Sequence, residues 1–257
     1  MDFSGKVALV TGGSRGLGQE MALALAARGA DVVITSRKAD ACEEVANKIS
    51  AMGRQALAYG CHVGQWDALD GLVEAAYERF GKVDILINNA GIVNSGPIES
   101  FDEEAWDRIF EVNTKGIFLM TKAALSELRK SKSPSVINTA SIAGKKGYAN
   151  MSAYCGSKFA AIGITQSLAN ELAPDGIRVN AICPGMVGTA MWLEHLLPTN
   201  ATDHPQKTQE FEEMMQERIP LGRPQTSEDM GHAALYLASA NNVTGVSLSV
   251  SGGFEVN

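Results

Sequence analysis

Tyr154 and Lys158 stand four residues apart and carry the clearest chemical signal in the chain. On a helix that spacing puts both side chains on one face. A free tyrosine titrates near pH ~10 and is a poor base at neutrality. A neighbouring ammonium favours the phenolate and lowers that value, which gives an acid/base group suited to a carbonyl/alcohol pair. Ser141 lies thirteen residues earlier, just past the apolar run Ser135–Thr139. A hydroxyl there can hydrogen-bond a substrate carbonyl and the alkoxide developing from it. Thr139 presents a hydroxyl on the same strand face and competes for that role, and Ser141 also suits a helix cap.

A second motif lies near the other end. Thr11-Gly12-Gly13-Ser14-Arg15-Gly16-Leu17-Gly18 follows the apolar run Val7–Val10 and opens an apolar-periodic segment. Strand, glycine turn and helix in that order form a cradle for a pyrophosphate. The glycines let backbone come close, and unpaired N–H groups of the first helical turn face the anion. Gly12, Ser14, Arg15, Gly16, Leu17 and Gly18 are the candidate contacts. A dinucleotide there and a proton donor at Tyr154 together imply hydride transfer. The second apolar run ends at Ser36, followed by Arg37 and Lys38. A carboxylate at Ser36 would bind a ribose 2′-hydroxyl and repel a 2′-phosphate. Its absence, with Arg15 and Arg37 placed to flank a phosphate, favours NADP(H). Asn88-Asn89-Ala90-Gly91 closes another strand. Asn89, Ala90 and Gly91 admit the adenosine side of a cofactor, while the asparagines brace neighbouring strands. Asp84 reads as structural.

The elements that must position these groups follow from periodicity. Strands are expected at Val7–Thr11, Asp31–Ser36, Gln55–Tyr59, Ile85–Asn88, Ser135–Thr139, Ile177–Ile182 and Val246–Val250. Most are continuous apolar runs, as in strands covered on both faces. Helices are expected over Gly16–Arg28, Asp40–Ala51, Trp66–Phe80, Glu103–Phe110, Thr114–Arg129, Ser152–Leu172 and Ser227–Ala238. This alternation predicts an α/β fold: a single-domain, Rossmann-like, doubly wound parallel sheet of about seven strands. Met191–Glu217 is long, mixed in polarity and poor in strand signal, so residues 191–217 are expected to form a substrate lid. The pocket is expected from Asn94–Gly96, Ala143–Tyr148, Met186 and that lid. Met151, Met191, Trp192, Met214 and Met215 are apolar lining candidates, and Glu194, His195 and Asp203 are candidate hydrogen-bonding groups for a hydroxylated substrate.

The spacing of Gly12, Gly16 and Gly18, with Asn88–Gly91, Asn113, Ser141, Tyr154, Lys158 and Pro184-Gly185, resembles the short-chain dehydrogenase/reductase family nearly end to end. The resemblance selects Ser141 over Thr139. It implies that Tyr154 gives a proton in reduction and takes one in oxidation. It further implies that Lys158 lowers the Tyr154 pKa and holds the nicotinamide ribose. It assigns the backbone carbonyl of Asn113 a water linking Lys158 to solvent, and it places Pro184, Gly185, Val187 and Thr189 along the nicotinamide side. Basic residues at Arg15 and Arg37 mark the NADP-preferring members. One departure stands out: where the family usually holds the adenine amino group with an acidic residue, this chain has His62, followed by Val63. The family is usually tetrameric, so Thr114–Arg129 and Ser152–Leu172 are expected to pair across a two-fold axis.

Composition narrows the classes. The 257 residues carry a net charge of −7 and no basic stripe, which argues against nucleic acid or an anionic membrane as partner. No apolar stretch reaches the ~18 residues of a membrane span. The opening Met1-Asp2-Phe3-Ser4-Gly5-Lys6 lacks the pattern of a signal peptide. Cys42, Cys61, Cys155 and Cys183 are scattered, so reduced structural thiols, no zinc site and a cytoplasmic location are expected. The sequence reads as an NADPH-dependent ketone/secondary-alcohol oxidoreductase acting on a sugar, polyol, small ketone or diketone. A 3-oxoacyl-carrier-protein reductase, an epimerase or dehydratase, and a non-catalytic NADP-binding sensor or scaffold are the competing readings.

Overall fold

In the computed structural model, which describes residues 1–197 and 201–255, the apolar runs pair into one parallel sheet. Its strands are β1 (Val7–Thr11), β2 (Asp31–Ser36), β3 (Ala56–Gly60), β4 (Ile85–Asn88), β5 (Ser135–Thr139), β6 (Arg178–Pro184) and β7 (Ser247–Val250), in the order β3-β2-β1-β4-β5-β6-β7. The helices are α1 (Gly16–Ala26), α2 (Asp40–Ala51), α3 (Trp66–Phe80), α4 (Glu103–Phe110), α5 (Gly116–Lys130), α6 (Ser152–Leu172), α7 (Ala190–His195), α8 (His204–Arg218) and α9 (Ser227–Ser239). The doubly wound parallel sheet expected from the sequence is the fold observed. Strand order reverses between β1 and β4, and in such sheets the crevice beyond the carboxyl ends at that point is the ligand site.

Differences from the sequence reading lie at element ends and in the segment after β6, where α7 and α8 are helices the periodicity did not mark. The sixth strand reaches Pro184 because Cys183 and Pro184 pair with Ser249 and Val250 of β7. The first helix stops at Ala26, before the left-handed Gly29, whose N–H returns to the Ala26 carbonyl at 2.9 Å. The fifth helix begins at Gly116 rather than Thr114, because a π turn, Glu111–Lys115, intervenes.

Both sheet faces are covered, which explains the unbroken apolar strands. Met21 and Leu25 of α1, Ile49 of α2 and Met230 and Leu237 of α9 pack on one face. Leu69 and Leu72 of α3, Met120 and Leu128 of α5 and Leu172 of α6 pack on the other. Among the described residues, no helix is long and apolar enough to cross a membrane.

Several polar side chains inside this core are hydrogen-bonded to one another. Asn88 donates to Asn138 Oδ1 at 2.9 Å and to Thr121 Oγ1 at 3.0 Å, and Asn138 donates to Thr165 Oγ1 at 2.9 Å. This ladder ties β4 and β5 to α5 and α6. Asp84, at the foot of β4, accepts the Val7 N–H at 3.0 Å and the Ser131 hydroxyl, with Lys6 and Lys82 at 3.4 and 3.2 Å. Burial raises its carboxyl pKa, but these partners outweigh burial and hold it below the usual value.

Asn138 is fully buried and its amide has no water to turn to. Asn138→Ala is expected to destabilise the protein by about 2 kcal/mol, because Asn88 and Thr165 both lose a partner. A lower urea midpoint at unchanged slope is the expected readout.

Candidate active site

The first two turns of α6 carry Tyr154 and Lys158 on the face turned to the end of β5. Lys158 is 4 % exposed, and its ammonium donates to the Thr139 carbonyl at 2.8 Å. It stands 5.7 Å from the centre of the Tyr154 ring. Ser141 starts a short 3-10 turn, Ile142–Gly144, and its Oγ accepts the Ala143 N–H at 3.1 Å. The Tyr154 phenol lies close enough to the same hydroxyl to feel it, Ser141 acting to lower the phenol's pKa. The helix-cap reading of Ser141 is observed, and its hydroxyl stands beside Tyr154. The Thr139 hydroxyl turns instead to Asn89 Oδ1 at 3.4 Å. The turn sits tightly on α6, since a Cβ on Gly144 would lie 2.6 Å from the Lys158 carbonyl oxygen.

Asn113 occupies the centre of the π turn and is buried. Its side chain accepts the Ile92 N–H at 2.8 Å and donates to the Ile92 carbonyl at 2.9 Å and to Ser157 Oγ at 3.0 Å. Ser157 in turn donates to the Tyr154 carbonyl at 2.7 Å. Asn113 thus clamps the loop after β4 to the turn of α6 between Tyr154 and Lys158. A Cβ on Gly91 would lie 3.5 Å from Asn113 Oδ1 and 3.6 Å from Lys158 Nζ, so these three residues meet.

One electrostatic expectation is corrected. Burial pushes the Tyr154 phenol up to about 12, and the Ser141 hydroxyl only partly opposes it. Burial also brings Lys158 down to about 8. The sequence predicts a phenol made more acidic by the ammonium. In the folded chain desolvation wins for both groups, because each charged form gives up water.

The glycine loop joins β1 to α1 as expected. Gly18 packs against backbone: a Cβ there would lie 2.3 Å from the Gly12 oxygen and 2.4 Å from Asn89 Nδ2. Gly12 is equally close to Ala90, at 2.8 Å from its Cα. Asn89 donates to the Thr11 and Gly12 carbonyls at 3.1 Å each, and Thr11 Oγ1 accepts the Asn89 and Ala90 N–H groups at 3.0 Å each. Gly16 differs: its φ is +56°, and a Cβ there would meet only Thr189 Cγ2, at 3.7 Å. Extended Arg15 precedes α1 with no side-chain cap, and the first turn holds no acid. Uncapped N–H groups beside Ser14, Gly16 and Leu17 suit a pyrophosphate, so these residues fit a dinucleotide.

The segment after β6 arches over this loop. Gly185 N–H donates to the Val250 carbonyl at 2.9 Å, Val187 forms a bridge with Gln225, and Thr189 N–H returns to the Val187 carbonyl at 2.7 Å. Sequence reasoning missed Gln225, which is buried and whose Oε1 accepts the Met186 N–H at 2.8 Å. No local pattern marks it, since its partner lies thirty-nine residues away. Arg15, Arg37 and Lys38 are exposed, and Ser36 Oγ donates to the Lys38 carbonyl at 2.9 Å. His62 Nδ1 accepts the Gly64 N–H at 3.2 Å, and Val63 is buried beside Gly116.

The expected lid is helical. Leu193, Phe211, Met215 and Ile219 form a small core of their own, joined by Met186, Trp192, Met214 and Phe254. Met215 is fully buried there and does not line a pocket. Asp203 accepts the Gln206 N–H at 2.9 Å and caps α8, which accounts for its carboxylate. His195 does reach a cleft of about 320 Å³, shared with Ile92, Val93, Asn94, Ala105, Arg108 and Ile109. Residues 198–200 of the lid, and Val256 and Asn257 of the tail, lie outside the described residues.

Residues 6–197 match the model of the short chain dehydrogenase family. The chain belongs to that family. It is 36 % identical to a 3-oxoacyl-[acyl-carrier-protein] reductase of Synechocystis sp., over 98 % of this chain and 97 % of the relative. It is 37 % identical to galactitol 2-dehydrogenase of Agrobacterium fabrum, over 94 % of this chain and 93 % of the relative. Carveol dehydrogenase from Mycobacterium avium, solved in complex with NAD, superposes with a TM-score of 0.91 at 28 % identity, covering 98 % of each chain. As a short-chain dehydrogenase the protein is an oxidoreductase of the alcohol/carbonyl class, with a small-molecule substrate.

In this short-chain dehydrogenase, ultraviolet titration of tyrosinate is expected to show one phenol ionising near 12 in the ligand-free protein. That component should vanish in Tyr154→Phe. A difference between the two proteins confined to pH values below ~10 would contradict burial as the controlling effect.

Proposed function

We propose that this chain is an NADP(H)-dependent oxidoreductase interconverting a ketone and a secondary alcohol. The observation carrying the reading is that Tyr154 stands beside Ser141 at the end of β5, with the buried Lys158 ammonium 5.7 Å from the centre of the Tyr154 ring and bonded to the Thr139 carbonyl. A nicotinamide cofactor, when bound, would supply the hydride chemistry, and the residues of this chain hold the oxygen and move the proton. Ser141 holds the substrate oxygen, and Tyr154 delivers the proton to it in reduction or accepts it in oxidation. A phenol whose pKa is raised stays protonated through the neutral range, which suits the donor role. Lys158, while charged, favours the phenolate left behind. Asn113 keeps the Tyr154–Lys158 turn and the loop after β4 in register.

Gly12, Ser14, Gly16, Leu17 and Gly18 hold the pyrophosphate; Asn89, Ala90 and Gly91 flank the adenosine side. Pro184, Gly185, Val187 and Thr189 border the nicotinamide. The preference for NADP(H) rests on Ser36 in place of a carboxylate, with the exposed guanidinium groups of Arg15 and Arg37 on the same rim. Residues 191–217 serve as the lid over a substrate of the sugar, polyol or small-ketone class, on the side where His195 and Asn94 share a cleft. A homotetramer through α5 and α6 completes the reading, supported by the exposed Phe118 and Phe159 on those helices.

Tyr154→Phe is expected to bind NADPH as the parent does and to lose at least about a hundredfold in kcat, the usual worth of a general acid. Near-parental turnover in a ketone panel followed by NADPH absorbance would overturn the assignment. Arg37→Asp places a carboxylate beside the ribose and removes a cation. It should shift the NADPH-to-NADH ratio of kcat/KM toward NADH by about tenfold or more, whereas an unchanged ratio would contradict the phosphate contact.

A further inference from the structure

The carboxyl ends of β1, β2 and β3 are stitched side by side. Gly13 N–H donates to the Thr35 carbonyl at 3.1 Å, and Cys61 N–H donates to the Ser36 carbonyl at 2.7 Å. The glycine loop, Ser36 and Cys61-His62-Val63 therefore make one continuous rim. A dinucleotide with its pyrophosphate on α1 and its ribose at the end of β2 carries its base onward, toward the end of β3. His62 is half-buried at that place.

The hydrogen-bonding polarity of His62 is set by the turn it closes. Nδ1 accepts the Gly64 N–H at 3.2 Å, and the His62 carbonyl accepts the Gln65 N–H at 3.0 Å as the chain enters α3. A neutral imidazole has one acceptor nitrogen and one N–H. With Nδ1 accepting, Nε2 carries the hydrogen and can only donate. A carboxylate in the same turn would keep the Gly64 bond with one oxygen and offer the other as an acceptor.

We propose that His62 reads the purine edge as a donor, so that this chain binds its cofactor without selecting for an exocyclic amino group. This rests on the dinucleotide reading and concerns only the base. Adenine places an N–H donor at position 6, which finds no acceptor on His62. Hypoxanthine places a carbonyl oxygen there, which the Nε2–H satisfies. Hypoxanthine also replaces the N1 acceptor of adenine with an N–H, so a contact from the backbone around Val63 acts on the base preference equally in parent and variant, and it cancels when their two ratios are compared.

The test is equilibrium binding, without turnover, of NADPH and its hypoxanthine counterpart, followed by protein fluorescence at mildly alkaline pH. The ratio of the two Kd values, hypoxanthine over adenine, is expected to be about one or below in the parent protein. In His62→Asp, which preserves the Gly64 turn, it should rise about tenfold or more, equivalent to about 1.4 kcal/mol. A parent protein preferring adenine by more than about tenfold would overturn the inference even if the variant fails to fold. So would equal ratios in parent and a folded variant, and either result leaves the dinucleotide site itself intact. Failure of the parent to bind either dinucleotide would overturn both readings together.

Discussion

An ammonium removed from water has to be hydrogen-bonded, and the surroundings of Lys158 are built on that requirement. Its bond to the Thr139 carbonyl joins α6 to the end of β5 and sets how far along the sheet the helix sits. Tyr154, one turn earlier, is thereby brought to Ser141 at the same strand end. Gly144 is bare because the Lys158 backbone fills the space a Cβ would take, and Gly91 passes close to Lys158 Nζ and Asn113. Desolvation then acts on both ionisable groups, raising the phenol and lowering the amine. The protonated state of this phenol at neutral pH is favoured by its burial more than by the pairing.

The glycines of the loop between β1 and α1 divide by physical role. Gly12 and Gly18 are packing positions, where any side chain would strike Ala90, Asn89 or the loop's own carbonyl. They bring the start of α1 down onto the loop that follows β4. Gly16 has open space and a left-handed backbone, and it stands at the uncapped start of α1 facing Thr189. Orphan N–H groups at a helix start call for an anion, so tight packing behind the loop and unclaimed donors in front of it belong to one arrangement. Thr11 and Asn89 hold the two sides of the crevice together through four hydrogen bonds.

The segment after β6, with α7 and α8, carries a small core of its own. Phe211 and Met215 are fully buried although α8 lies outside the sheet layers, and Trp192 packs on Phe211 with ring centres 5.1 Å apart. Phe254 ties the tail after β7 to the same cluster. The segment is therefore a packed unit seated between the turn after β6 and the C-terminal tail, and its apolar residues serve that packing before they serve a ligand.

Local periodicity was enough to read the strands, most helix limits, the glycine cradle and the Tyr154–Lys158 face, because each depends on neighbours within a few residues. Boundaries failed where a distant partner intervened, as when β7 extended β6 to Pro184 or the Asn113 clamp came with a π turn ahead of α5. The sequence alone also carried the chemical inventory: a phenol, an amine, a hydroxyl and a carboxylate-free rim. It could not carry the assignment of each polar atom to a partner. That Asp203 caps a helix, that Met215 is lid core, that Gln225 braces the turn at Met186 and that the His62 lone pair belongs to Gly64 all depend on which atoms folding brings within reach. The direction of the Tyr154 shift belongs to the same class, since desolvation sums over atoms supplied by segments far apart in the chain.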